Sequence, residues 1–179
     1  MAVDEEGLSL RGKQTLLRPF NAEDITKEYL GWLADPEVVR FSNQRFRMHT
    51  QESAQAYLNS FAGSGNLFLG IRLLETQKLV GTITAYRSQS HQTADMGLLI
   101  GDRSCWGKGV GLDAWSTLMD YLLIVCRLRK LTGGTLRCNV GMVRIMERSG
   151  MHLEAVRFQQ ELVNQVPQDA LYYAKFRAL

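Results

Sequence analysis

Apolar and polar positions along the chain change period several times, and each change marks an element. Residues 8–20 read as a strand carrying Leu16 and Leu17 and ending at Arg18-Pro19. From a cap at Asn21, the residues Ile25, Tyr29, Leu30, Trp32 and Leu33 form the apolar face of a helix. Glu23 and Asp24 sit in its first turn, and Asp35-Pro36 breaks it. Thr50 caps a second helix that runs to about residue 61, with Glu52 near the positive end of its dipole. Residues 66–73, 78–86 and 93–100 are strand-like, and the polar turn Glu75-Thr76-Gln77 between the first two predicts a meander.

Farther on, Trp115, Leu118, Met119, Leu122, Leu123 and Cys126 recur at the three-and-four spacing of an amphipathic helix. A strand at residues 131–137 follows. Asn139 then caps a short helix with Met142, Ile145 and Met146 inward and Gly150 as its stop. Residues 151–162 and 170–176 predict a closing hairpin. The order β-α-α-β-β-β-α-β-α-β-β describes one mixed α/β domain over residues 1–179, not an alternating doubly wound sheet.

Composition narrows the function classes. With 45% hydrophobic and 22% charged residues, the 179-residue chain is an ordinary globular domain, long enough for a real core. A net charge of +3 is too mild and too dispersed to imply a nucleic-acid partner. The apolar run at residues 121–126 is too short to span a bilayer. The acidic start Met1-Ala2-Val3-Asp4-Glu5-Glu6 lacks signal-peptide regions, so a cytoplasmic location is expected. Cys105, Cys126 and Cys138 form no C-x-x-C pair, which argues against a disulfide framework and against a zinc site.

The chemistry concentrates in Cys105-Trp106-Gly107-Lys108-Gly109-Val110-Gly111-Leu112, between a strand and a long helix. Alternate glycines let the backbone approach a ligand, the helix start adds free N–H groups, and Lys108 adds charge; a phosphate or pyrophosphate fits such a turn. A Walker A loop is excluded because no Gly-Lys-Ser/Thr triplet exists. A dinucleotide fingerprint would need glycine at Leu112 and an acidic residue about 20 positions on, where Arg129 and Lys130 stand. Gly97 interrupts a good strand just upstream and marks either a bulge or a close backbone approach. Asn139 is either a plain cap or a ligand contact at the same cleft.

These residues resemble the GNAT N-acetyltransferase superfamily, in particular its ribosomal-protein-acetyltransferase-like branch. The turn Trp106-Gly107-Lys108-Gly109-Val110-Gly111, the strand Ala94-Asp95-Met96-Gly97-Leu98-Leu99-Ile100-Gly101 and the segment from Asn139 through Glu147, Gly150 and Met151 carry the likeness in order. It implies a strongly twisted central sheet, flanked by helices, with a bulged strand that opens an acetyl-CoA cleft. It also implies acetyl-CoA as co-substrate, without a metal, and direct acetyl transfer to a primary amine. Leu98, Leu99 and Ile100 would line the pantetheine arm through their backbones, and Gly107 to Gly111 would hold the pyrophosphate, assisted by Lys108 or Arg144. Asp95 is the candidate for taking the amine's proton, with Tyr86 second. The family's tyrosine and serine acids fall at Met146 and Met142, so no standard general acid is present, and a non-catalytic acyl-CoA-binding module stays open.

The segment at residues 37–50 carries Arg40, Arg45, Arg47 and His49 among Phe41 and Phe46. Arginines clamp phosphates and aromatic rings stack on bases, so Phe41, Arg45 and Arg47 point to a nucleotide-linked acceptor. Tyr29-Leu30-Gly31-Trp32-Leu33 with Asp35-Pro36 resembles members that acetylate amino-sugar nucleotides. The alternative acceptor is a protein N-terminus, such as that of a ribosomal protein. A homodimer is an admissible assembly.

Overall fold

The computed structural model describes residues 7–178. The acidic segment at residues 1–6, from which a cytoplasmic location was expected, lies outside them. The elements in chain order are β1 (Leu10–Arg11), β2 (Thr15–Pro19), α1 (Lys27–Ala34), α2 (Gln51–Asn59), β3 (Leu67–Leu73), β4 (Leu79–Ser88), β5 (Thr93–Ile100), α3 (Val110–Asp120), β6 (Lys130–Leu136), α4 (Val140–Arg148), β7 (His152–Val163) and β8 (Val166–Phe176). The strands form one sheet in the order β1-β2-β3-β4-β5-β6-β8-β7. Every pairing is antiparallel except β5 with β6.

Register divides the central strands between two faces, because side chains alternate along a strand. Phe68, Thr84 and Gly97 are cross-strand partners, as are Gly70, Thr82 and Leu99. Phe68 belongs to an aromatic cluster with Phe20, Tyr29, Trp32 and Phe61, on which α1 and α2 rest. On the opposite face, Leu69, Ile83, Met96 and Leu131 join Trp115, Leu118 and Leu122 beneath α3 and Met146 beneath α4. Trp115, Leu118, Leu122 and Met146 have no solvent exposure, so this second cluster is the main core.

The feature that positions the site is a fork. The parallel ladder between β5 and β6 has three pairs, Thr93↔Lys130, Ala94↔Leu131 and Asp95↔Thr132. Beyond it β5 continues to Ile100 beside β4, while β6 continues to Leu136 beside β8. The cleft implied by the resemblance is therefore present between the two diverging strands.

Three local differences separate this fold from the sequence reading. Residues 8–20 are not one strand: β1 and β2 are joined by a turn at Gly12–Gln14, and its backbone N–H groups are gathered by Asp113 of α3. The first helix is also divided. Asn21 caps a single 3-10 turn, Ala22–Asp24, and Thr26 caps α1 afresh. Asp24 is drawn to Arg72 of β3 by an ion pair, which turns the chain away from a continuous helix. At Gly97 the register with β4 runs unbroken, so there is no bulge in that ladder. The glycine answers to close approach instead, since a Cβ there would lie 2.8 Å from Thr84 Oγ1. The expected closing hairpin is present, with β8 inside against β6 and β7 at the edge.

Among the described residues, no helix is long and apolar enough to cross a membrane.

Candidate active site

The glycine turn lies at the open end of the fork. Gly107 and Gly109 have φ of 73° and 83°, a left-handed backbone that side chains resist. Gly109 is the N-cap of α3 and offers no side-chain cap. By contrast, Thr26, Thr50 and Asn139 cap α1, α2 and α4 through side-chain oxygens. The first N–H groups of α3 therefore keep their hydrogen-bonding capacity, together with the positive end of the dipole, for an external anion. Lys108 is exposed beside them.

Two contacts fix the turn against the cleft. Trp106 Nε1 donates to the carbonyl of Ile100 at 2.9 Å, tying the turn to the end of β5. A Cβ on Gly111 would stand 3.0 Å from Ile145 of α4 and about 3.4–3.5 Å from Leu98 and Ile100, so this glycine permits close packing of α3 on β5 and α4. Leu98 and Ile100 thus line the α3–α4 side of the fork, and Leu99 faces the α1–α2 side.

A buttress behind the turn was not legible in sequence. Both oxygens of Asp113, in the first turn of α3, accept hydrogen bonds from the β1–β2 connection. Lys13, Gln14 and Thr15 donate backbone N–H at 2.9 Å each, and Thr15 Oγ1 donates at 2.7 Å. Burial by itself raises this carboxyl, but the four donors together hold it below the ordinary carboxylate range. Gln14 Nε2 also donates to the Lys108 carbonyl at 3.4 Å.

At the closed end of the fork stands Asp95, the last β5 residue paired to β6. Its cross-strand partner on β4 is Tyr86. Direct partners on one face hold Cβ atoms roughly 4.5–5.5 Å apart, so the two sequence candidates are neighbours. Tyr86 Oη lies 2.7 Å from Tyr57 Oη of α2, a residue that carried no motif. Burial pushes the Tyr57 hydroxyl well above its usual range, the bond to Tyr86 adds to this, and the charge of Arg47 opposes it. Burial likewise raises the Asp95 carboxyl, against a lowering hydrogen bond from Thr132. Asp95 still keeps solvent-exposed surface, so the crowding is one-sided.

Asn139 caps α4 by accepting from the Met142 N–H at 3.3 Å while donating to Thr135 Oγ1 at 3.1 Å, so its side chain is engaged at both ends. Arg144 is exposed on α4. Of the two methionines, Met146 is fully buried and Met142 only partly so.

The arginine segment packs against the tip of the β7–β8 hairpin. Together they enclose a groove of about 350 Å³ lined by Arg40, Arg45, Arg47, Glu37, Val163 and Asn164 among others. Arg45 is committed to protein partners: Nη1 donates to Ser42 O at 2.7 Å and Nη2 to Leu162 O at 3.0 Å, with Glu161 at 3.8 Å. Arg47 is exposed, and Phe41 is half-buried with the Arg40 guanidinium 5.3 Å from its ring. Among the described residues, no group of three or more His, Cys, Asp or Glu side chains is placed to hold a metal ion.

Residues 14–152 match the family model described as an acetyltransferase (GNAT) domain. A probable N-acetyltransferase, YjcK of Bacillus subtilis (strain 168), is 23% identical over 169 residues, covering 89% of this chain and 92% of that protein. The ribosomal-protein-S5-alanine acetyltransferase of Vibrio fischeri superposes with a TM-score of 0.80 at 14% identity, over 95% of this chain and 97% of its own. RimL, a ribosomal α-N-protein acetyltransferase solved with coenzyme A, gives a TM-score of 0.82 at 14% identity, over 94% and 98% of the two chains. At such identities the two solved structures speak for the fold.

Proposed function

This chain belongs to the GNAT acetyltransferase family, and from that premise we propose that residues 1–179 form one catalytic domain that moves an acetyl group from acetyl-CoA to the primary amine of an anionic acceptor, with an amino-sugar nucleotide as the best fit. Acetyl-CoA supplies an activated thioester carbonyl. The C–N bond forms at that carbon, the C–S bond breaks, the amine loses a proton, and the departing thiolate takes one up.

The chain's own groups divide this work. The uncapped start of α3, with Gly107 to Gly111 and Lys108, binds the pyrophosphate. The open edge of β5 at Leu98 to Ile100 offers backbone groups to the amides of the pantetheine arm and directs the thioester toward the fork. Asp95 receives the proton of the incoming ammonium, with Tyr86 beside it, so that a neutral amine attacks. Met142 and Met146 cannot donate a proton, so the thiolate is protonated from solvent.

The observation that carries the acceptor reading is the arginine groove. The charge of Arg47 lowers the Tyr57 hydroxyl against its burial, and Tyr57 is hydrogen-bonded to Tyr86, the cross-strand partner of Asp95. An acceptor whose diphosphate lies near Arg40 and Arg47 could therefore extend its amine to the fork. A peptide N-terminus is the second reading, favoured by Phe46 and Met48, which are 73% and 88% exposed beside the groove.

Thiol release from acetyl-CoA, measured with an amino-sugar nucleotide, the same sugar without its nucleotide, and short peptides, tests the assignment. Turnover should be fastest with the nucleotide-linked sugar. Reaction with peptides alone would transfer the assignment to the second reading, and coenzyme binding without turnover on any amine would make the protein a binding module.

A further inference from the structure

The last rung before the fork carries a side-chain bond as well as backbone pairing. Thr132 Oγ1 donates to Asp95 Oδ1 at 2.6 Å, far shorter than its 3.5 Å separation from the Ala94 carbonyl. A hydroxyl has one proton to give, and the charged, nearer acceptor takes it. No other hydrogen bond to Asp95 is present among the described residues, so Oδ2 has no protein donor there.

Resting on the acetyl-transfer reading, we propose that Thr132 is a positioning residue for the reaction: its hydroxyl fixes the Asp95 carboxylate at the apex of the fork, leaving one oxygen to receive the proton of the acceptor amine. The placement is suited to this. Past Asp95, β5 has no support from β6, and a carboxylate on that strand would turn with it. Thr132 sits on the strand that departs, so its bond spans the divergence at its narrowest point. Its β-branched side chain has few χ1 choices on a strand, and a regular ladder holds both backbones.

The bond also sets basicity. Crowding favours the protonated form of Asp95, whereas the Thr132 hydroxyl favours the charged form. The other groups facing Asp95 leave this balance to Thr132. From β4 comes Tyr86, whose hydroxyl is engaged with Tyr57 of α2. On β6, Lys130 is two residues away on the same face but is ion-paired to Glu154 of β7. From β8 the partner of Thr132 is Ala174, and opposite Ala174 on β7 is His152, which is exposed.

Thr132→Val keeps the shape and removes the hydroxyl. In ¹³C-carboxyl NMR titrations, with Asp95→Asn identifying the resonance, Asp95 in Thr132→Val should titrate higher than in wild type by about 0.5–1 pH unit. Thr132→Ser should return it toward the wild-type position. With acetyl-CoA and the best amine from the panel above, the acid limb of the kcat profile should move up by the same amount, while the KM for acetyl-CoA stays put. An unshifted resonance in folded Thr132→Val overturns the proposal, as does a shifted resonance with an unmoved acid limb. Wild-type binding and turnover of acetyl-CoA test the acetyl-transfer reading separately, so the two failures are distinguishable.

Discussion

Arg45 Nη2 donates to the carbonyl of Leu162 across 117 positions of sequence, joining the segment before α2 to the tip of the β7–β8 hairpin. With the bond to Ser42 O and the neighbouring Glu161, this makes Arg45 a tie between two walls of the acceptor groove. It is the least exposed of the paired arginines lining that groove, at 15% against 47% for Arg40.

Arg45→Ala should therefore reduce stability, by about 1.5–3 kcal/mol if both charge-assisted bonds are lost. Arg47→Ala should leave melting unchanged and raise the acceptor KM while sparing that of acetyl-CoA. Urea unfolding and steady-state kinetics on the two variants separate the roles. Equal melting with a shared rise in KM would make both residues direct contacts.

Glycine substitutions should divide in the same manner. At Gly109 the positive φ strains any side chain, and a Cβ would reach within 3.2 Å of Gln14 Nε2. Gly109→Val should thus weaken coenzyme A binding tenfold or more, equivalent to about 1.4 kcal/mol. In Gly111→Val the added bulk meets Ile145, Leu98 and Ile100, so melting should fall along with affinity. Calorimetry with coenzyme A, read beside thermal unfolding, checks both.

Asp113 predicts an acid limb of stability. Its folded pKa is lowered below an unfolded value of about 3.9. The contribution is therefore fully present above pH ~4 and is lost as pH falls through the folded value. In Asp113→Ala the difference in unfolding free energy from wild type should shrink on going from pH 6 to pH 3. A constant difference would mean that the carboxylate charge is irrelevant. Coenzyme affinity should fall as well, because the β1–β2 turn supports the glycine turn through the bond from Gln14 to the Lys108 carbonyl.

Met146→Ala should cost about 2–5 kcal/mol, as its side chain is fully buried under α4. Met142→Ala should cost less, being partly exposed. Unchanged melting with lost turnover in either variant would place that methionine at the reaction centre instead.

Periodicity located most of this fold because its helices and central strands bury one-sided patterns. The amphipathic spacing from Trp115 to Cys126 continues through a π-turn at Tyr121–Val125, with Cys126 N–H donating to Tyr121 O, without leaving its face. Local pattern failed where a distant residue decides. The β1–β2 turn depends on a carboxylate about 100 positions away, and Arg45 is turned by a carbonyl 117 positions away. Asp95, Tyr86 and the glycine turn could be named as candidates because motif or strand position exposes them. Tyr57 and Thr132 were not, since each matters only through a partner that the register or the packing of α2 supplies. Gly97 was read correctly as special, but its cause is the Thr84 side chain across the ladder.

The three-rung junction between β5 and β6 also has a mechanical meaning. On one side lie β1 to β5 and on the other β6, β8 and β7, two plates whose backbones pair with each other through these three rungs alone. A molecule wedged between the plates acts as a keystone. It should damp their relative motion, and amide exchange should slow at Leu98 to Ile100 and on the outer half of β6 together, although those segments share no rung.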